Sequence, residues 1–422
     1  MYHRAMFRRV ILLSLVPLIF LLLGSATVSL GDVGERVRAF TRPIEFDYVR
    51  WTFDAFEVKL EQAALGGANY LEDDQGSQLV REYNDLISRI EQMEAELSYL
   101  HANPESAEVA NQIEETSAQL SQLYDERLEK RPFAESVLQS QLSVVLADMG
   151  LTFVGQPIPP VLYHSTPLPW ALIVSPRDRI AQEANISLET DLILADHIAL
   201  EERVSSTLDV SALVVPVGGI GSYPTMVAQS SNLNWIAEVI SHEWIHNYLT
   251  LRPLGLLYER NQELRSMNET AANIAGKELG AALIMRFYPE LVPAPPPAIE
   301  AQANEGEEEV NVEELRFDFR AEMHETRIQV DQFLAEGKVV EAAAYMEARR
   351  LLFWENGYPI RSLNQAYFAF YGSYADQARG PAGEDPVGEA VRRLRARSSS
   401  LAAFINEMAF LTSFEQLQHK LD

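Results

Sequence analysis

The chain contains no cysteine and only eight histidines among its 422 residues. The absence of cysteine excludes disulfide bonds, a thiol nucleophile and thiolate metal sites, and it leaves the redox compartment undetermined. Basic residues are also scarce, because 34 Lys and Arg face 61 Asp and Glu, giving a formal net charge of −27. This acidity repels phosphate and anionic headgroups, so it argues against a nucleic-acid partner.

The sequence also has no internal repeat, no Gly-rich phosphate loop and no lipase-type nucleophile elbow. The glycines of residues 218–221 lack the spacing of a dinucleotide fingerprint and lead into extended sequence, so they indicate a turn. Hydrophobic residues make up 47% of the chain, which supports a globular core rather than disorder. The length is sufficient for two or more packed units.

The most informative segment that is present reads Ser-His-Glu-Trp-Ile-His over residues 241–246. His242 and His246 are four residues apart, which puts both imidazoles on one face of a helix, one turn from each other. Such a pair can hold one Zn²⁺ per chain, with Glu243 between them as the general base. Histidines that only make hydrogen bonds inside the core are the alternative.

The flanking sequence predicts that this helix is mostly buried. Ile236, Val239 and Ile240 share one apolar face at helical spacing, and residues 234–252 contain no Gly or Pro. Buried histidines beside a carboxylate are unfavourable without partners, and a divalent cation would satisfy all three groups. The context therefore favours a metal site.

A catalytic zinc needs a third protein ligand. Residues 247–323 contain no His and residues 210–317 contain no Asp, so only glutamates remain nearby. The nearby glutamates are Glu259, Glu263, Glu269, Glu278 and Glu290. Glu269 is the predicted ligand, because small residues around it would let a second helix approach the first closely.

The two histidines, Glu243 and the downstream Glu resemble the motif of the gluzincin metallopeptidases, whose ligands are two motif histidines and a Glu on a following helix. The resemblance covers roughly residues 211–280. It implies His242, His246 and Glu269 as zinc ligands and Glu243 as the general base. It also implies that Asn273, one turn after Glu269, orients a ligand histidine.

The segment before the motif is expected to be extended. Residues 211–217 indicate a strand, and a turn with Gly218, Gly219 and Tyr223 leads to a second extended run at 225–228. In zincins an edge strand precedes the zinc helix and can bind a peptide substrate by strand addition. A flexible hairpin without a substrate role is the alternative.

The reaction that this ligand set implies is attack of water on a peptide carbonyl, with Glu243 taking the proton. A further donor to the carbonyl oxygen is expected from the carboxy-terminal part, where Tyr367, Tyr371 and His324 are the candidates. Packing aromatics with satisfied hydroxyls are the alternative for the two tyrosines.

The amino terminus predicts a membrane anchor. Arg4, Arg8 and Arg9 precede an uncharged run from Val10 to Leu30, long enough to cross a hydrocarbon core of about 30 Å. We expect an uncleaved single-pass helix that leaves the bulk of the chain outside the cytoplasm, on a bacterial cell surface. Cleavage near residues 25–29 would instead make the protein secreted.

Two heptad seams follow, one from Leu79 to Leu100 and one from Val109 to Leu123. The turn at residues 101–106 between them predicts an antiparallel coiled-coil hairpin. This hairpin either binds a partner or packs only on itself.

The predicted fold class is α+β and predominantly helical, with a zincin-like catalytic domain that contains a small β-sheet. Strands are expected at residues 170–174 and 186–190 in addition to 211–217. The expected amino-terminal divisions are a stub with a transmembrane anchor or signal peptide at 1–31 and a helical region with the hairpin at 32–150. The catalytic domain is expected at 151–290. A Pro-rich and acidic linker at 291–312 then leads to a helical region at 313–422 that packs on the catalytic domain.

The sequence thus predicts a membrane-anchored, extracytoplasmic zinc metallopeptidase acting on a peptide or protein. An aminopeptidase-like exopeptidase of the same mechanism is one alternative. A surface interaction or scaffold protein with a structural metal is the other. Glu243 favours an enzyme, because a structural site needs no base between its ligands.

Overall fold

The computed structural model describes residues 33–66, 71–102, 107–293, 317–373, 383 and 385–422. The predicted anchor at Val10–Leu30 and most of the predicted linker at 291–312 lie outside the described residues. Among the helices within these ranges, none is both long and apolar enough to cross a membrane. The described chain is predominantly helical and carries two small β-sheets.

The amino-terminal part consists of helices. Helix α1 (Val33–Thr41) leads through a 3₁₀ turn (Arg42–Ile44) to α2 (Tyr48–Leu65). Helices α3 (Asp73–Ala102) and α4 (Ala107–Asp148) then form the predicted hairpin, whose turn lies partly outside the described residues. The middle of its seam is buried, with Leu86, Ile87, Ile90, Leu120 and Leu123 in one apolar cluster.

The base of the hairpin belongs to the main hydrophobic core. Val80 of α3 and Leu142 and Leu146 of α4 are buried in the same cluster as Trp244 of the motif segment. A single core therefore includes residues on both sides of the boundary expected near residue 150. This packing ties the base of the hairpin to the site.

The first sheet holds β2 (Trp170–Pro176), β3 (Ala184–Leu188) and β4 (Val210–Val215) in the order β3-β2-β4, with antiparallel pairing. The expected strand at 186–190 in fact begins and ends two residues earlier, because Glu189 N already bonds to Ile44 O outside the ladder. Helix α5 (Leu194–Leu208) separates β3 from β4.

The two faces of this sheet are both covered, as alternation of side chains along each strand allows. Leu172, Val174 and Val214 face α1 and α5. Ala171, Ile173 and Val215 point to the opposite face and pack against α11 (Gln365–Tyr371). Two helices, α9 (Phe319–Ala335) and α10 (Val339–Glu355), precede α11 in the chain.

The second sheet has the order β1-β6-β5 and is much smaller. Its strands are β1 (Tyr163–Ser165), β5 (Gly219–Ile220) and β6 (Thr225–Val227), with β1 parallel and β5 antiparallel to β6. Strand β5 stands at one end of this three-strand order. It lies directly beside the helix that carries the motif.

That helix, α6 (Leu233–Thr250), is followed by the single turn α7 (Pro253–Leu256) and by the long helix α8 (Gln262–Phe287). Asn232 and Asn261 cap α6 and α8 by accepting bonds from the first-turn amides of Trp235 and Leu264. The two helices pack side by side, and the carboxy-terminal helices α12 (Pro386–Arg397), α13 (Leu401–Ala409) and α14 (Phe414–Leu421) contact α8.

Candidate metal centre

Glycines on α8 allow the close approach of α6 and α8. A Cβ atom at Gly276 would lie 2.9 Å from Cβ of His242, and one at Gly280 would lie 2.8 Å from the backbone N of Glu238. Any larger residue at either position would push the helices apart. The glycines thereby bring the start of α8, with Glu269, to the histidine face of α6.

The three predicted ligands meet at this contact. Nε2 of His242 and Nε2 of His246 lie 3.7 and 3.5 Å from Oε2 of Glu269, and 2.9 Å from each other. Tetrahedral zinc with bonds of about 2.1 Å spaces its ligand atoms about 3.4 Å apart. The two distances to Glu269 match this spacing, and the distance between the imidazoles is somewhat shorter. The group could hold a metal ion.

The outer atoms of the ligands are engaged by neighbouring side chains. Oδ1 of Asn268 lies 2.9 Å from Nδ1 of His246, and Asn273 makes a hydrogen bond to His242. The amide oxygen of Asn268 accepts a hydrogen bond from Nδ1–H of His246, so the ring in its neutral form presents a lone pair at Nε2. Tyr258 donates a hydrogen bond to Oε1 of Glu269.

The inner atoms, by contrast, are near neighbours of one another, with both Nε2 atoms facing Oε2 of Glu269. Oε2 of Glu269 is buried and has no hydrogen-bond partner among the described residues. A buried carboxylate oxygen needs a cation beside it, which protonated His246 supplies in the metal-free chain and a metal ion would supply when bound. Two imidazoles and one carboxylate form one of the donor sets that catalytic zinc takes in proteins. The residues present therefore fit a zinc ion.

Burial and charge give these groups divergent pKa values. Burial, with the charge of His246, lowers the pKa of His242 to about 3. Burial alone would lower the pKa of His246, but the Glu269 carboxylate raises it to about 9. Burial likewise opposes the ionisation of Glu269, yet the charge of His246 lowers its pKa to about 2. Burial raises the pKa of Glu243 to about 7.

The ligands and Glu243 line one cavity of about 540 Å³. Gly219 and Gly221 form its wall beside Glu243, where a Cβ on Gly219 would lie 2.7 Å from Oε1 of that carboxylate. The first sheet contributes part of the wall through Ala171, Asn185 and Ser187. The site is thus a cleft between the helices α6 and α8 on one side and a face of the first sheet on the other.

The predicted substrate strand is only partly in this cleft. Gly219 lines the wall, whereas Gly218 packs against the ring of Trp235 and is not in the wall. The hydroxyl of Tyr223 donates to Pro160 O, and its ring contacts Phe56 outside the cleft. The neighbouring Gly221 and Ser222 line the wall in their place.

The three expected donors to the carbonyl oxygen are not part of the cavity wall. Tyr367 and Tyr371 lie on α11 with ring centroids 4.5 Å apart and pack against the covered face of the first sheet. His324 lies on α9, which packs mainly against α10. The structure does not place these three residues in the wall, because the helices that carry them pack on the sheet and on one another.

Sequence reasoning missed several polar residues that contact the ligands or line the cleft, namely Asn268, Tyr258, Tyr48, Ser187, Asn185, Ser222 and Thr250. Asn268 had a detectable signal, since it directly precedes Glu269. Tyr48 and Ser187 had none, because only the tertiary fold brings them to α6. No protein-family model, curated protein or solved structure matches the chain.

Proposed function

We propose that the protein is a zinc-dependent peptidase whose active site is the cleft around His242, Glu243, His246 and Glu269. The observation that carries the proposal is the convergence of two Nε2 atoms on the unpartnered Oε2 of Glu269, with Glu243 beside them in an open cleft. A structural metal would need no carboxylate base facing such a cleft.

His242, His246 and Glu269 would hold the metal. When bound, Zn²⁺ would supply Lewis-acid chemistry, polarising a peptide carbonyl and acidifying water. Asn268 and Asn273 keep the two imidazoles in the orientation that directs their lone pairs inward. Tyr258 fixes the carboxylate of Glu269 through its other oxygen.

Glu243 would move the proton of the reaction. Its carboxylate lies in the cleft wall, and burial raises its pKa to about 7. A base with a pKa near the working pH both accepts and returns a proton readily. Glu243 therefore takes a proton from the attacking water and delivers it to the leaving amide nitrogen.

Strand β5 would align the substrate backbone. Ala228 N donates to Gly218 O at 3.1 Å, which makes Gly218 and Ala228 a hydrogen-bonded pair. Because hydrogen-bonded and non-bonded pairs alternate in an antiparallel ladder, the peptide groups of Gly219 point away from β6. An extended peptide adding to this side would run past Glu243.

Membrane anchorage is the remaining part of the proposal. It is supported by the sequence of Val10–Leu30 and the arginines before it, which favour an extracytoplasmic catalytic unit. The substrate would then be a peptide or protein outside the cytoplasm.

The test uses the zinc-loaded chain and a mixed peptide pool, with products identified by mass spectrometry. Glu243→Gln should keep one zinc per chain and abolish cleavage, and Glu269→Gln should lose the zinc. Glu263→Gln on the same helix α8 is the matched control and should keep both. Unchanged cleavage by Glu243→Gln would contradict the proposed role of Glu243 as the base. The set of product masses distinguishes removal of terminal residues from internal cleavage.

A further inference from the structure

We propose that Tyr48 completes this active site from the opposite side of the cleft, by donating a hydrogen bond to the carbonyl oxygen of the scissile peptide. The inference rests on the proposed peptidase function and adds a catalytic residue from the amino-terminal helices. It replaces the carboxy-terminal donors expected from the sequence.

The backbone around Tyr48 is attached to the first sheet. Phe46 N donates to Ser187 O at 3.0 Å, and Glu189 N donates to Ile44 O at 2.9 Å. Glu45 forms an antiparallel bridge with Leu188. Residues 44–46 thus continue the sheet beyond β3, so Tyr48 takes its position from the same strand that forms the cleft wall.

The helix start fixes the direction of the side chain. Asp47 caps α2 by accepting a bond from Arg50 N at 3.0 Å, and Tyr48 is the first helical residue. Its ring packs edge-on against Phe46, with centroids 5.0 Å apart. These contacts limit the rotamers of the Tyr48 side chain, so it loses little conformational entropy when substrate binds.

The hydroxyl of Tyr48 lies in the cleft and is held by a second hydroxyl. Its oxygen is 2.8 Å from Oγ of Ser187, and both residues belong to the cavity wall. A serine hydroxyl can donate its proton to the phenol oxygen. In that arrangement the phenol keeps its own proton available for donation to a group in the cleft.

The phenol remains a donor at neutral pH. Burial raises the pKa of Tyr48 above its ordinary value, and the nearby charge of Glu243 raises it further, although the bond to Ser187 acts in the opposite direction. The other phenol in the wall, Tyr258, already donates to Glu269. Among the described wall residues, Tyr48 is therefore the phenol that does not bond to a proposed metal ligand.

This donor acts where charge develops. As water adds to the peptide carbonyl, the carbonyl oxygen gains negative charge, and a fixed donor stabilises that charge more than it stabilises the neutral substrate. Removal of one such donor typically lowers kcat by about 100-fold or more. Since the bond strengthens mainly in the transition state, KM should change little.

The experiment compares Tyr48→Phe with Tyr223→Phe in the full zinc-loaded chain. Tyr223 is the matched control, because its hydroxyl bonds to Pro160 O outside the cleft wall. Tyr48→Phe should keep one zinc per chain, lower kcat on the peptide pool by about 100-fold and leave KM within about threefold. Tyr223→Phe should behave like the wild type.

A second readout does not require turnover. A phosphonate dipeptide presents a tetrahedral anion that mimics the charged carbonyl, and its Kd can be measured by calorimetry. Tyr48→Phe should weaken this Kd by about tenfold, with no change in Tyr223→Phe. Ser187→Ala should show a smaller loss in the same direction, because it removes the support but not the donor.

The possible failures are distinguishable. A wild-type chain that neither cleaves the pool nor binds the phosphonate overturns the peptidase proposal, and the role of Tyr48 falls with it. Wild-type activity with an unchanged kcat and Kd in Tyr48→Phe overturns only the role of Tyr48. Loss of zinc in Tyr48→Phe also overturns that role, since it would assign the phenol to support of the metal centre.

Discussion

Nδ1 of His246 lies 2.9 Å from Oδ1 of Asn268, the residue directly before Glu269 on α8. One turn of α8 thereby carries both a candidate ligand and the amide that orients a second ligand. Asn273, one turn further on, bonds to His242. Helix α8 therefore supplies more of the candidate metal centre than its single carboxylate.

Asn268→Ala should weaken zinc binding by about 10–100-fold, because His246 would lose the acceptor that fixes its tautomer and ring orientation. Competition with a chromophoric chelator measures this affinity. Asn234→Ala is the matched control, since that amide bonds to Leu291 O at the other end of α6. Equal affinities of the two variants would show that Asn268 does not orient the ligand.

Gly276→Ala should lower both zinc affinity and thermal stability. Its Cβ would lie 2.9 Å from Cβ of His242 and 3.1 Å from the carbonyl oxygen of Glu238. Relief of such overlap costs about 1–3 kcal/mol, which outweighs the gain of about 1 kcal/mol that alanine brings to a helix interior.

The comparison uses Ala281→Ser, which adds one atom on the exposed side of the same helix. Its melting temperature and zinc affinity should stay near those of the wild type. A higher melting temperature for Gly276→Ala would mean that the helices separate without penalty, contrary to the close packing of α6 on α8.

Zinc binding at pH 7 should release protons. With a pKa of about 9, His246 is protonated before binding, whereas His242 and Glu269, with pKa values of about 3 and 2, are already deprotonated. Glu243, with a pKa of about 7, is about half protonated and ionises more fully beside a cation. The expected release is about one to one and a half protons per zinc.

Calorimetry in two buffers of different ionisation enthalpy measures this number directly. The apparent affinity should rise with pH up to about 9, because the protonated fraction of His246 decreases. A zinc affinity that is independent of pH between 6 and 8 would contradict the assigned protonation states.

Glu135→Gln should lower the free energy of unfolding at pH 7 by about 3 kcal/mol, because it leaves a buried cation without its partner. Glu135 is 1% exposed and lies 2.6 Å from Nζ of Lys59 and 3.2 Å from Nδ1 of His164. Burial alone would raise the pKa of Glu135, but Lys59 and His164 lower it to about 2. Burial meanwhile lowers the pKa of Lys59.

The pH dependence follows from the sign of that shift. A carboxyl whose pKa is lower in the folded chain stabilises the fold above its unfolded value of about 4.5, and this contribution disappears as the pH falls towards 2. Urea unfolding should therefore show a smaller difference between wild type and Glu135→Gln at pH 3 than at pH 7. Glu129→Gln, exposed on the same helix, should match the wild type at both values.

Several parts of the fold could be predicted from the sequence because they depend on local spacing. The four-residue interval between His242 and His246 places both imidazoles on one helix face in any α-helix. Leu86 and Ile90 of α3 share a buried cluster with Leu120 and Leu123 of α4, because apolar residues at steps of three and four form a stripe that can pack on a neighbouring helix. Elimination left five nearby glutamates, and the small residues around Glu269 selected the one that meets the histidines.

Other parts depended on which surfaces meet across long stretches of chain. Tyr367 and Tyr371 carry the same chemistry as Tyr48, yet α11 packs them, partly buried, against the sheet, while α2 places Tyr48 in the cleft wall. Tyr48 and Ser187 are 139 residues apart, and no local pattern connects them. The sequence by itself determined the two candidate histidine ligands, because helical periodicity puts them on one face. Only the tertiary structure decided which polar groups face them, because that choice depends on packing between distant segments.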